Sequence, residues 1–479
     1  MALTRIILWL GNSIVCCAML FVLTALLSYV SADIPSAIRL SGLGLISGFL
    51  GAILIALTFN TPGRESNSEA LLFLALFWVL VPLITALPFL VLGGSPNLLS
   101  AYFESVSAFT TTGASRLVPE DLPQALVFWR ALLQWFGGVS IATFAIVILA
   151  ALNLTGTGIH RSMLFTLKTG ELFERLIGIG GLVAAVYLSL SAIGALLMML
   201  GGASVFDAIC LALSGVSTGG LTPQSVPLAM YVSPFAATVL GVLCVLGAMN
   251  LSILWDCVRL RNWHSVKRVF LNIEHRTIWV VIIILSLLSA FFAGLENFSG
   301  SFLDAIYFVS TAGFQYNVIG LDMVPSVVLI SLALIGGSAL STAGGIKIMR
   351  LLLLFRHLGT DLGRLSHPSR IIPVKLRSRR VADKAFLSVW MYFFAYALVF
   401  GVGIAAFGAA GLGLEDAIVS SSASLTNMGP LLPLTLPESG LTYEAFTPAQ
   451  MTVSIALMLL GRLEVLAVLA LFMPAFWRQ

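Results

Sequence analysis

The chain has 479 residues, 59% of them hydrophobic and only 10% charged, with a mean hydropathy of +1.04 and a formal net charge of +4. That is far more apolar surface than a soluble core buries, which excludes a soluble globular domain or a nucleic-acid-binding protein and defines an integral membrane protein.

A membrane-spanning helix needs about 20 apolar residues. Ten stretches qualify, at about 5–30, 40–59, 70–93, 123–152, 176–201, 233–258, 277–294, 324–357, 384–411 and 447–476. The first follows Arg5 in the manner of a signal peptide, but it is too long and no small-residue cleavage site closes it, so it reads as a spanning helix. The five cysteines, 16, 17, 210, 244 and 257, show neither metal-ligand nor disulfide spacing.

After residues 1–60, a two-helix unit, the chain repeats. Four units, 70–165, 176–262, 277–365 and 384–479, each carry a Ser/Thr-rich tract ending in glycine between two apolar stretches. The tracts are Thr110-Thr111-Thr112-Gly113, Ser217-Thr218-Gly219-Gly220, Ser310-Thr311-Ala312-Gly313 and Thr426-Asn427-Met428-Gly429. Irregular backbone at membrane depth is tolerated only where it lines a cavity or is buried in protein. Four such linings around one axis would make a pore.

A short apolar segment precedes each tract. Asp-Ala-Ile occurs at 207–209, 304–306 and 416–418, and Ser100-Ala101-Tyr102 takes that place in the first unit. Ser100, Asp207, Asp304 and Asp416 read as N-caps of short half-buried helices, whose C-terminal dipole ends would then favour a cation at the axis. Asp304 stands nine residues before its glycine where the other three stand thirteen, so the third short helix is expected to be shorter or to start earlier.

The tracts have the chemistry that binding a dehydrated monovalent cation requires. Carbonyl oxygens replace the hydration shell if the backbone is extended or left-handed, as glycine permits, and Thr111 and Thr218 add hydroxyl oxygens. Candidate ion-binding residues are Thr111, Thr112, Gly113, Thr218, Gly219, Gly220, Thr311, Ala312, Gly313, Asn427, Met428 and Gly429.

Loops 161–175, 259–276 and 347–384 hold 18 of the 25 Lys and Arg residues, which makes them cytoplasmic, with the N-terminus, and opens the tracts outward. Around the tracts lie Glu104, Glu120, Asp121, Asp207, Glu296, Asp304, Asp322, Glu415, Asp416, Glu438 and Glu444 against one basic residue, Arg116. Such acids either reflect depletion of Lys and Arg outside or form a vestibule that concentrates cations.

Two further features lie below the tracts. The stretch 324–357 is too long for one straight helix and is rich in Gly and Ser at its middle, so it should break there. Gly336, Gly337, Ser338, Ser341, Thr342, Gly344, Gly345 and Lys347 would form a loop able to plug a pore, or else a small-residue packing surface. Arg462 lies deep in the last apolar stretch, where a charge is a functional candidate by default. Glu464 is two residues away and faces elsewhere on that helix.

The chain resembles the TrkH branch of the Trk/Ktr/HKT potassium-uptake superfamily over its whole length. The resemblance rests on Phe128-Trp129-Arg130 with Gln134-Trp135-Phe136-Gly137-Gly138, on residues 336–347, and on Gly461-Arg462-Leu463-Glu464 through Pro474-Ala475-Phe476-Trp477-Arg478. It implies an all-α membrane fold of four M1-pore helix-M2 repeats around one pore, plus two N-terminal helices, in the bacterial inner membrane. It further implies potassium uptake through the four tracts, a gate at 336–347 with Arg462 in the pore, a homodimer, and a separate cytosolic ring of nucleotide-binding RCK subunits. No Rossmann fingerprint exists in this chain, and no cofactor is expected beyond K⁺ as the transported ion. Four retained glycines resemble the potassium-selective members.

Other classes read less well. A secondary transporter of inverted repeats would alternate the side of its basic loops. Proton- or sodium-coupled symport on this scaffold leaves no short motif. An enzyme is not expected, since the five histidines fall at loops or helix ends and no nucleophile has a base at usable spacing.

Overall fold

The computed structural model describes residues 2–58, 67–151, 172–260, 263–317, 320–366, 375–376, 379–380, 383–436 and 440–463. Among the described residues the chain is helical apart from turns, loops and a two-residue pairing of Lys375–Leu376 with Arg379–Arg380. Two helices, α1 (Ala2–Val30) and α2 (Ile34–Thr58), form an antiparallel hairpin. Glycines let them pack closely: a Cβ on Gly51 would lie 2.9 Å from the Gly11 carbonyl oxygen.

The first unit is α3 (Asn67–Thr85) continued by α4 (Leu87–Val91), the short α5 (Leu98–Phe109) and the long α6 (Gln124–Ala151). The second is α7 (Leu172–Leu200), α8 (Val205–Val216), α9 (Pro234–Ala248) and α10 (Leu251–Leu260), after which α11 (Trp263–Leu271) leads to the third. That unit is α12 (Ile273–Ala293), α13 (Phe298–Val309), α14 (Ser326–Ile335) and α15 (Ile348–Ser366). The fourth is α16 (Asp383–Ala409), α17 (Leu414–Leu425), α18 (Leu431–Thr435) and α19 (Pro448–Arg462). Glu464, the segment 474–478 and most of loop 161–175 lie outside the described residues.

Among the described residues seven helices are long and apolar enough to cross a membrane, and α9 with α10 would make an eighth but for a 106° bend. The stretch 233–258 is therefore not one straight span. It breaks at Met249-Asn250, where the Asn250 side chain accepts from Ser252 N (3.2 Å) and its hydroxyl (2.7 Å) and so starts α10 anew. The break expected in 324–357 is present: α14 stops at Gly336, whose φ is +70°, and α15 begins at Ile348.

The four short helices, α5, α8, α13 and α17, each have twelve residues and each begin fifteen residues before the tract glycine: 98 to 113, 205 to 220, 298 to 313 and 414 to 429. The third is thus neither shorter nor displaced, against the expectation from Asp304. The capping assignment also changes. Asn97 and Ser204 are the N-caps, accepting from Ser100 N at 2.9 Å and Asp207 N at 3.0 Å, so Ser100 and Asp207 sit three residues inside. Asp416 likewise lies inside α17, behind Gly413, which caps without a side chain.

Asp304 has a different task. It stands nine residues before Gly313, as Glu104 stands before Gly113, and both are buried. Glu104 accepts from Arg116 N (2.6 Å) and the Ser115 hydroxyl (2.9 Å), and Asp304 accepts from Tyr316 N (2.6 Å) and Asn317 N (3.3 Å). Each carboxylate ties down the turn that follows its glycine, in the first and third units alone; Leu211 and Ser420 hold the equivalent places.

Candidate functional site: four glycine tracts and the loop beneath them

Each short helix hands over to its tract in the same way. The amides of Thr111, Thr218, Thr311 and Asn427 donate to carbonyls three residues back, at 2.9–3.3 Å. These four residues all take left-handed backbone, with φ of +50°, +52°, +62° and +52°. A non-glycine residue in that region carries strain, and its presence at one position in four units marks a shared constraint. Gly113, Gly220 and Gly313 are left-handed as well, at +77°, +83° and +72°. Left-handed residues thus recur two apart in the first three tracts, at Thr111 and Gly113, Thr218 and Gly220, and Thr311 and Gly313.

The tracts pack edge to edge into a closed ring. A Cβ on Gly113 would overlap the Gly219 carbonyl oxygen, one on Gly220 the Ala312 oxygen, one on Gly313 the Pro430 ring, and one on Gly429 the Ala114 amide of the first tract. First touches second, second third, third fourth, and fourth first. Glycine is needed at all four places because the neighbouring tract occupies the space a side chain would take.

The fourth tract departs from the others. Gly429 is not left-handed; its amide donates to Thr112 O at 2.6 Å, and its carbonyl accepts from the Tyr443 hydroxyl at 2.9 Å. Asn427 replaces threonine, and its amide donates to the Thr112 hydroxyl (3.0 Å) and Met458 O (2.9 Å).

A second set of glycines brings the long helices against the short ones. A Cβ on Gly137, Gly247 or Gly461 would overlap the carbonyl of Phe109, Val216 or Leu425, each four residues before its tract glycine. Gly137 and Gly461 fell within the motifs of the resemblance, but Gly247 did not.

On the side of the turns that follow the glycines, the cavity against the ring is lined by residues such as Gly113, Ser115, Gly220, Thr222, Pro430 and Tyr443, with Arg130 and no carboxylate among the described residues. Arg130, almost wholly buried, reaches the Ser115 hydroxyl at 3.3 Å and Thr222 O at 3.2 Å, joining the turns after the first two glycines. Arg116 clamps the first unit to the fourth through Tyr443 O (3.1 Å) and Glu444 O (2.9 Å). Of the acids around the tracts, Glu104 and Asp304 are buried anchors rather than solvent-facing charges. Glu120 accepts from Ser225 N and its hydroxyl, both at 2.7 Å; slight burial raises its carboxyl, but these bonds outweigh that and leave it below the usual carboxylate range.

On the opposite side the loop Gly336–Lys347 lies directly under the tracts. The Thr218 hydroxyl donates to the Thr342 hydroxyl at 3.0 Å, and Gly344 N donates to the Thr311 hydroxyl at 3.0 Å. Arg462 completes the floor: Nε donates to Thr110 O, one terminal nitrogen to Thr342 O, and the other to the Thr111 hydroxyl, each at 2.6 Å. The side-chain oxygens of Thr111, Thr218 and Thr311 are all engaged from below. Lys347, itself left-handed at +79°, folds its ammonium back onto Ser341 O at 3.1 Å and Ala343 O. Gly337 N pairs with Gly344 O at 3.3 Å across the loop, and Ser338 N donates to Ala248 O at 3.2 Å. The remaining predicted residues, Gly219, Ala312, Met428, Ser341 and Gly345, are all buried in the ring or the loop. No group of His, Cys, Asp or Glu among the described residues has metal-binding geometry.

Four pore-helix units whose tracts close on one another, in a chain of apolar spans, define a multi-pass membrane transport protein. The family model for TrkH, a cation transport protein, matches residues 57–284 and 262–479. The chain is 33% identical over 427 residues to the Trk system potassium uptake protein TrkH of Escherichia coli (strain K12), covering 87% of each. It is 29% identical to the protein of that name from Halomonas elongata over the full length of both. Its fold superposes on the crystal structure of the potassium transporter TrkH from Vibrio parahaemolyticus with a TM-score of 0.87 at 26% identity, covering all of both chains. The chain belongs to the TrkH family, whose members and structural neighbours are transporters, not enzymes.

Proposed function

We propose that this protein takes up potassium across the bacterial inner membrane through the ring of four tracts, with the 336–347 loop and Arg462 as its gate. The observation that carries the reading is the closed ring: left-handed residues at one position in four units, and glycines that admit the neighbouring tract. Backbone oxygens gathered around one axis replace the hydration shell of a monovalent cation. The names of the relatives as potassium uptake proteins support the choice of ion.

In the gated state the floor competes with the ion. The hydroxyls of Thr111, Thr218 and Thr311 would line the innermost cation position, yet each is bonded to Arg462 or to the loop. A guanidinium there repels a cation and consumes its ligands. Opening therefore requires the loop and Arg462 to withdraw together. The basic face of Arg350, Arg356 and Arg364 is cytoplasmic in this reading, with the N-terminus, and is where RCK nucleotide-binding subunits dock on a homodimer.

The test is ⁸⁶Rb⁺ flux into proteoliposomes holding the purified chain, with no proton or sodium gradient and with K⁺ or Na⁺ as competitor. Flux blocked by K⁺ and not by Na⁺ supports a selective passive pore. Flux that needs an imposed proton or sodium gradient makes the protein a coupled symporter and removes the passive reading.

A further inference from the structure

The loop is also fastened on the side away from the tracts, by residues outside the motifs considered so far. Glu274, wholly buried at the second position of α12, accepts from Ala339 N at 2.9 Å with one carboxylate oxygen and from the Asn250 amide at 3.1 Å with the other. Asn250 occupies the break between α9 and α10, and the next amide, Leu251 N, donates to Leu340 O at 3.0 Å. Asn250 N donates to His275 Nε2 at 3.1 Å, and Nδ1 of that ring donates to Val269 O of α11 at 2.8 Å. Gly247 O, on the last turn of α9, accepts from Thr342 N at 3.3 Å and from its hydroxyl at 3.2 Å.

A buried carboxylate is costly unless its environment supplies donors. Here two aimed N–H groups do so, beside the positive end of the α12 dipole, and one of those groups belongs to the loop. The same side chain thus joins the broken second-unit helix to the loop in the third unit. If the loop withdraws, this contact has to break.

We infer that Glu274 and Asn250 form a latch that holds the 336–347 loop beneath the tracts, which makes Glu274 a positioning residue of the gate. The latch rests on the reading of that loop as a gate. It sits where α10 begins and α11 ends, so a displacement of that basic cytoplasmic arm reaches the loop through His275 and Asn250.

The test compares Glu274→Gln, Asn250→Ala, their combination and Arg462→Ala in the full chain, by ⁸⁶Rb⁺ influx and by single-channel recording in planar bilayers. Glu274→Gln is isosteric and keeps the protein folded. The latch predicts a gain in influx of roughly tenfold for each of the two latch variants, the scale of one hydrogen bond to a buried charge. The gain is carried by open probability, with unitary conductance and the Rb⁺/Na⁺ ratio unchanged, and the combination gains less than the product of the two. Wild-type or lower influx in both latch variants, beside a gain in Arg462→Ala, overturns the latch and leaves the gate. No gain in any variant removes the gate reading and the latch with it. A changed Rb⁺/Na⁺ ratio in Glu274→Gln would assign the residue to the tracts and also overturn the latch.

Discussion

Gly113 and Gly219 belong to different units, more than a hundred residues apart, yet the Gly219 carbonyl oxygen fills the space that a side chain on Gly113 would need. The same relation recurs around the ring, so the identity of each glycine is set by its neighbour as much as by its own backbone.

Gly113→Ser tests that relation. Serine meets the Gly219 oxygen and must adopt a φ of +77°, which costs a non-glycine residue about 1–2 kcal/mol. The first tract should shift and discrimination against Na⁺ should fall by about tenfold, the equivalent of about 1.4 kcal/mol. Paired ⁸⁶Rb⁺ and ²²Na⁺ fluxes decide it; an unchanged ratio counts against the tracts as the selective element.

Arg462→Ala removes three donors from the floor of the ring. Basal K⁺ flux should rise, while Arg462→Lys, which keeps the charge but not the three-way fork, should rise less. Equal flux in both variants and the wild type would exclude the arginine as part of the barrier.

Gly247→Ala places a methyl group on the Val216 carbonyl, whereas a methyl group at Gly181 meets nothing within 4 Å. The first change should displace the second tract and abolish transport in otherwise assembled protein; the second should be silent. Similar flux from the two variants would show that the close approach of α9 to α8 does not matter for transport.

Glu104→Ala and Asp304→Ala each strand two backbone or hydroxyl donors in buried surroundings. Each should lower stability by about 1–3 kcal/mol, and the two effects should add, because the sites lie in different units. Thermal unfolding in detergent measures this. No loss in Asp304→Ala would show that its bonds to the turn after Gly313 do not hold the fold.

The membrane class and the fourfold repeat were legible because apolar runs and a glycine recurring at similar intervals survive in any one sequence. The break in 324–357 was legible for the same reason: Gly and Ser clustered in an apolar run announce it. What failed depended on register. Asp304 shares the Asp-Ala-Ile triplet with Asp207 and Asp416, yet the common quantity is the fifteen-residue run from helix start to glycine, which places Asp304 with Glu104 instead. The bend at Asn250 was signalled only by a single asparagine in an apolar run, and Glu274 by nothing local, since its partners are 24 and 65 residues away.

The ring is made by one polypeptide rather than by four copies of a shorter one. In a homotetramer every substitution is imposed four times at once, so a lining residue is either acceptable everywhere or nowhere. Here a single codon alters one quarter of the circumference. Asn427 in place of threonine and the turned backbone of Gly429 are changes of that kind, confined to one quadrant. Variation can therefore reshape the ring one side at a time, leaving the other three quadrants as they are.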